Sequence, residues 1–182
     1  MSAGAMSDEE LMAAYVGGDR SAFAELFARY GPRLQRLMQR DMSRAEDAHD
    51  LVQQTFLQLH RARNDFRVDA KLRPWLFTIA LNLKRQHFRR LGRRPESSLD
   101  AEDGGIDPVA PRGNPEARVG DVQLRAALQK LPDAQREVIV LHWFEGLSFR
   151  EIAAVVGASQ SAVKVRAHRG YNKLRETMGG KV

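Results

Sequence analysis

The 182-residue chain has no cysteine. That excludes disulfide scaffolds, cysteine-ligated zinc, iron–sulfur clusters and thiol catalysis together, and it suits a reducing compartment. No uninterrupted apolar run approaches the roughly 20 residues a membrane helix needs. Asp8, Glu9 and Glu10 stand where a secretion signal would place basic residues and then an apolar core. Histidines are few and dispersed: His49, His60, His87, His142 and His168 include no pair at the i, i+4 spacing of metal ligands. No glycine-rich phosphate loop follows a strand, and no nucleophile stands beside a base. These absences argue against an enzyme, a metal site, a cofactor or a small-molecule substrate. They point to a soluble, cytoplasmic chain.

What is present is 43% hydrophobic content and a formal net charge of +6. That apolar share is too high for a wholly disordered protein, and the length allows one medium domain or two small ones. The charge is unevenly spread. Residues 1–94 carry a net +6, residues 95–120 a net −4 and residues 121–182 a net +4. The acidic middle also holds Pro95, Pro108, Pro111 and Pro115 with Gly104, Gly105, Gly113 and Gly120. Proline, glycine and acid at that density, without apolar periodicity, describe a flexible linker between two domains. A structureless surface loop of this length is uncommon inside a compact domain.

Both flanks read as helical, giving an all-α fold. In the first, Phe23, Leu26, Phe27, Tyr30, Leu34 and Leu37 recur at helical spacing. Ser43-Arg44-Ala45-Glu46 has the form of a capping box opening a helix with Leu51, Val52, Thr55, Phe56 and Leu59 on its apolar stripe. A third helix is expected from about Lys71, with Pro74 tolerable in its first turn, and a shorter one near residues 8–16. The second flank gives four shorter helices. Leu131-Pro132 breaks the first, and the next runs through Val138, Ile139, Leu141 and His142 to about Gly146. Ser148-Phe149-Arg150-Glu151 is another capping box, Gly157 fits a left-handed helix end, and Ser159 can cap the last helix.

A helix from Phe149, a turn at Gly157 and a helix from Gln160 make a helix-turn-helix, whose second helix fits the DNA major groove. That helix carries Ser161, Lys164, Arg166, His168, Arg169, Lys173 and Arg175 before its first acid, Glu176, whereas an ordinary solvated face mixes signs. In the first flank, Lys71, Arg73, Lys84, Arg85, Arg89, Arg90, Arg93 and Arg94 fall within 24 residues free of acid. Thr78, Asn82, Arg85 and Arg89 share one polar stripe there. Arginine and lysine attract phosphates irrespective of sequence, and asparagine can read a base edge. Trp75, Phe77, Phe88 and Phe66 are interleaved; stacking would hold unpaired bases, although core packing is the plainer reading of Trp75. The preceding helix is the reverse, with Glu46, Asp47 and Asp50 in its first turns beside exposed His49, Gln53 and Gln54. The helix dipole alone favours acids there. If that face binds anything, repulsion from phosphates makes the partner a protein.

Three segments together resemble a bacterial RNA polymerase sigma factor of the extracytoplasmic-function (ECF) class. Asp50-Leu51-Val52-Gln53-Gln54-Thr55-Phe56 resembles that family's polymerase-binding helix. Pro74-Trp75-Leu76-Phe77-Thr78-Ile79-Ala80, with Asn82 and Arg89-Arg90, resembles its −10-element helix. Leu131-Pro132 through Arg136-Glu137-Val138, then Leu147 to Ala153, then Ser161-Ala162-Val163-Lys164 to Arg169, resemble its −35-binding domain. The resemblance implies a core-polymerase and −10 domain over residues 1–94, a linker over 95–120 and a −35 domain over 121–182. It implies that Asp47, Asp50, Leu51, Val52 and Gln53 dock on core RNA polymerase. Asn64, Phe66, Arg67, Lys71, Trp75, Asn82, Arg85 and Arg89 would engage the −10 element of promoter DNA as its strands open. Ser161, Lys164, Val165, Arg166, His168 and Arg169 would contact the −35 element as duplex. Leu81 and Gln86 stand where the family often has arginine and aspartate, and Val165 and Gly170 where it often has serine and alanine; these departures bear on promoter sequence.

The competing readings are a stand-alone helix-turn-helix regulator, which has no need of the Asp50–Phe56 segment, and a nuclease, for which no catalytic constellation exists. Regulation is expected from outside. The first helix is expected within about eight residues of the start, leaving no masking extension. A solvated acidic linker is screened beyond about 8 Å at physiological salt. The resemblance therefore implies a separate anti-sigma factor, often membrane-bound.

Overall fold

The computed structural model describes residues 6–42, 44–67, 69–92 and 115–179, with the backbone alone over 115–121. Among these residues all regular structure is helical, so the fold is all-α. The chain divides into two compact units, one built on α1 (Asp8–Val16), α2 (Arg20–Gln39), α3 (Ala45–Arg61) and α4 (Leu72–Arg90), the other on α5 (Pro115–Gln129), α6 (Asp133–Ile139), α7 (Phe149–Val156) and α8 (Gln160–Thr177). No helix among the described residues is long and apolar enough to cross a membrane.

In the first unit each helix buries one stripe. Leu26, Tyr30, Leu34 and Leu37 of α2 are at most 4% exposed, as are Leu51, Val52, Phe56 and Leu59 of α3. α1 packs on α2 and α4, and α3 packs on both α2 and α4. Pro32 lies inside α2 and cannot donate an N–H to the preceding turn; the burial on either side of it keeps the helix continuous. The only polar side chain buried on α3 is Thr55, and its hydroxyl donates to the Leu51 carbonyl at 2.7 Å. Helix starts follow side-chain chemistry. Ser7 and Glu10 form a capping box on α1, and Asp19 accepts the Ser21 N–H at 2.8 Å on α2. Ser43 lies outside the described residues. Helix α3 opens at Ala45 with Arg44 in the cap position and no side-chain cap bond, so its start rests on Glu46 and Asp47 against the dipole.

In the second unit α5 begins at Pro115, six residues inside the stretch expected to be linker; proline at a first helical position is preorganised for a helix. Residues 95–114 lie outside the described residues. Leu128, Leu131, Ile139 and Leu174 form a core with Ala127. The helix expected through His142 continues from α6 as a π-helical turn, Val140–Phe144. The His142 ring stacks on Phe149 with centroids 4.3 Å apart and donates from Nδ1 to the Leu147 carbonyl at 2.7 Å, which ties that turn to the start of α7. The expected turn chemistry is present. Ser148 and Glu151 form the capping box, Gly157 has φ 68°, and Ser159 accepts the Ala162 N–H at 3.2 Å.

Gly170 explains one departure noted above. It is buried where α8 crosses α6, and a Cβ there would lie 2.6 Å from Ile139 Cδ1 and 3.3 Å from Gln135 Cβ. Ile139 and Gly170 therefore fit as a pair. Gly170→Ala gains about 1 kcal/mol of helix propensity but incurs roughly 1–3 kcal/mol of overpacking. It should speed amide hydrogen exchange in α6 and α8, and adding Ile139→Val should reverse that change. Equal exchange in all three proteins would mean that the contact is not limiting.

Candidate nucleic-acid interface

The basic run on α4 divides by burial. Leu72, Leu76, Phe77, Ala80 and Leu81 are at most 1% exposed and form the packed face, so the Leu81 departure is a core residue here. Two cations of this run are held by acids of the same unit. Lys84 pairs with Asp41 at 2.6 Å, with side chains 12% and 15% exposed, and Arg73 pairs with Asp8 and donates to the Tyr30 hydroxyl. So enclosed a pair as Lys84–Asp41 is costly to break, which makes it structural. Asn82 and Arg89 are exposed and Arg85 is half-buried. Arg85 donates to the Asn82 side-chain oxygen at 3.2 Å, so the two present one polar group. The Thr78 hydroxyl donates to the Pro74 carbonyl at 2.8 Å and is spent on the backbone. Arg93 and Arg94 lie outside the described residues.

The loop before α4 adds the rest of this surface. Asn64 is exposed on the 3₁₀ turn Arg63–Asp65. Phe66 and Trp75 are each half-buried, with ring centroids 5.2 Å apart, so Trp75 packs on a loop ring while keeping an edge in solvent. Arg67 forms a forked pair with Asp69 at 2.9 and 3.1 Å, whose hydrogen bonds hold the Asp69 carboxyl below its usual range. Both groups are fully open to water, and such a pair holds weakly enough for a phosphate to displace the carboxylate. Lys71 is exposed at the cap position of α4.

Helix α3 shows a different face. Leu51 and Val52, expected among the docking residues, are 3% and 4% exposed and belong to the core. They position the face without forming it. Asp50, Gln53, Gln54 and Leu57 are exposed and spaced as one helical stripe, with Asp47 half-buried at its head. Gln53 is hydrogen-bonded to His49 at 2.9 Å. Leu57, 47% exposed, is an apolar residue on the polar stripe that a reading guided by charge passed over; its i, i+3 and i, i+4 spacing from Gln54 and Gln53 was the available signal. It borders a groove of about 790 Å³ walled by Val16, Phe23, Phe27 and Phe56.

On α8, Val163, Gly170 and Leu174 are buried, and Ser161, Lys164, Val165 and His168 form the opposite, exposed face. Arg169 is exposed beside it and Arg166 half-buried. Val165, at 49% exposure, is an apolar group displayed among cations, which suits contact with a base methyl. Asn172 continues this face one turn beyond His168 and hydrogen-bonds to it at 3.1 Å. A reading guided by charge passed over Asn172; its i, i+4 spacing from His168 was the available signal.

Comparison with known proteins follows the same division. Residues 26–94 match the family model for Sigma-70 region 2, and residues 121–174 match that for Sigma-70 region 4. The RNA polymerase sigma factor CarQ of Myxococcus xanthus is 39% identical over 162 residues, covering 89% of this chain and 92% of CarQ. The ECF RNA polymerase sigma factor SigM of Mycobacterium tuberculosis is 35% identical, covering 95% of this chain and 85% of SigM. Among solved structures, the sigma factor RpoE of Bartonella quintana, in complex with the anti-sigma factor NepR, superposes with a TM-score of 0.69 at 28% identity, covering 88% of this chain and 98% of RpoE. With two family regions matched in order and relatives aligned along most of its length, the chain belongs to the sigma-70 family of RNA polymerase sigma factors, in the ECF class.

Proposed function

We propose that the first unit docks on core RNA polymerase through the exposed face of α3 and holds the opened −10 strand on α4 and the Asn64–Arg67 loop, while the second unit reads the −35 element through α8. The observation that carries this reading is the separation of surfaces. The acidic Asp47–Asp50 head of α3 leads into an uncharged Gln53–Leu57 stripe, and the exposed polar residues of α4, Asn82, Gln86, Arg89 and Arg90, include no acid. Acid cannot sit against phosphate without a repulsive cost, so the two helices serve different partners. The division of labour follows residues 1–94 and 121–182, with 95–120 as the tether. The chain works in the cytoplasm, where polymerase and chromosome meet. An anti-sigma factor holds it inactive, as the RpoE–NepR complex suggests, by covering the α3 face or the basic faces in competition with polymerase.

Asp50→Arg should weaken association with purified core polymerase while leaving thermal stability nearly unchanged, because an exposed charge contributes at most about 1 kcal/mol. Unchanged core affinity would remove Asp50 from the docking face. Asn82→Ala should spare duplex binding and reduce promoter opening; normal permanganate reactivity in its complexes would refute the role given to that residue. Lys164→Ala and Arg166→Ala should lower affinity for duplex promoter, by roughly 1–3 kcal/mol where a base contact is lost. A phosphate contact would instead weaken all sequences alike and reduce the salt slope by about one.

A further inference from the structure

The first helix carries none of the residues placed at DNA or polymerase, yet it supplies two carboxylates to α4. Asp8 is 17% exposed; it meets Arg29 at 3.2 Å and Arg73 at 3.6 Å, and it accepts a hydrogen bond from the Tyr30 hydroxyl. Arg73 Nε donates to that same hydroxyl at 3.4 Å. Burial first, and then the bond to Asp8, push the Tyr30 phenol up to about 12, so it stays protonated and keeps donating at neutral pH. On the next residue, Glu9 Oε1 accepts the backbone N–H of Leu72, the first residue of α4, at 3.2 Å. Opening N–H groups of a helix have no partner within it, and Lys71 at the cap position contributes no side-chain bond. Glu9 thus caps α4 from 63 residues away. Its negative charge also complements the positive end of the helix dipole.

The turn held in this way is the one that carries the paired rings. Trp75 follows Arg73 by two residues and packs on Phe66 of the preceding loop. Without Asp8 and Glu9 the first turn of α4 would lose its cap and one acid that holds Arg73, although the helix beyond it would remain buried through Leu76, Phe77, Ala80 and Leu81. We infer that Asp8 and Glu9 are positioning residues for promoter opening, holding the first turn of α4 and its Phe66–Trp75 pair in the geometry that receives unpaired DNA. This inference rests on the assignment of α4 to the −10 strand. It runs against simple electrostatics, because removing either acid makes the chain more basic and strengthens general attraction to phosphates, while opening is expected to fall.

The test uses the full chain with core polymerase and a promoter fragment recovered by run-off transcription. Asp8→Asn, Glu9→Ala and, as a reference, Asn82→Ala are compared for core affinity and for permanganate-reactive open complexes. A Trp143→Phe background leaves Trp75 as the sole remaining one of the chain's 2 tryptophans, so acrylamide quenching reports directly on the turn. The expected result is increased quenching of Trp75 and about fivefold fewer open complexes, the scale of one lost helix cap, with core affinity unchanged. Should Asp8→Asn unfold the first unit, Glu9→Ala, which removes one acceptor from one N–H, carries the test. Unaltered quenching and normal opening in Glu9→Ala, with Asn82→Ala defective, would overturn the inference. An equal loss of core affinity would overturn it too, by making the contact a general stabiliser. Normal opening in Asn82→Ala would instead count against the assignment of α4, while Trp75 quenching would still judge the capping contact.

Discussion

Five side chains of α4, Leu72, Leu76, Phe77, Ala80 and Leu81, are withdrawn from water against the other helices of the first unit, and that burial decides which of its polar residues can meet a partner. A helix of 19 residues fixed along one face has little freedom to roll. Arg73 and Lys84 are carried toward neighbouring helices and neutralised there by Asp8 and Asp41. Asn82 and Arg89 are carried outward with Arg85 at their side. A nominally continuous basic segment becomes a narrower surface in which each outward cation has a direction. Hydrophobic packing, at roughly 25 cal/mol per Å² of apolar surface removed from water, supplies the force that sets it.

Much of the architecture was legible in the sequence because it depends on local rules. The helices followed from apolar spacing; the Ser148–Glu151 box, the left-handed Gly157 and the Ser159 cap followed from short motifs that carry their own geometry. What was not legible depends on distant partners. Nothing near Arg73 or Lys84 announces that acids 65 and 43 residues away in the chain will claim them. Nothing near Leu72 announces that Glu9 will serve as its cap. On α3 a motif match names a segment, and Leu51 and Val52 lie in that segment as its buried side, while the exposed Leu57 falls outside it. The π-helical turn after Ile139 likewise answers to tertiary contacts of His142 that periodicity does not encode.

The two units present different surfaces. The proposed duplex recognition needs a helix narrow enough for the major groove with donors along one face; α8 buries Val163, Gly170 and Leu174 and displays Ser161, Lys164, Val165 and His168, with Asn172 half-buried one turn on. Gly170 lets α8 approach α6 closely, and its fit to Ile139 shows how a departure from a family's usual residue can be absorbed by a neighbour in the core. The proposed hold on opened strands would draw on rings and amides, and the first unit has Phe66, Trp75 and Asn82 within one loop and one helix.

The central claim is that this chain gives core RNA polymerase a promoter preference it lacks alone. Run-off transcription from a library of genomic fragments, with purified core polymerase in the presence and absence of the chain, tests it most directly. The account predicts discrete new start sites whose upstream sequences share two short elements at fixed spacing. Transcripts indistinguishable from those of core polymerase alone would contradict it.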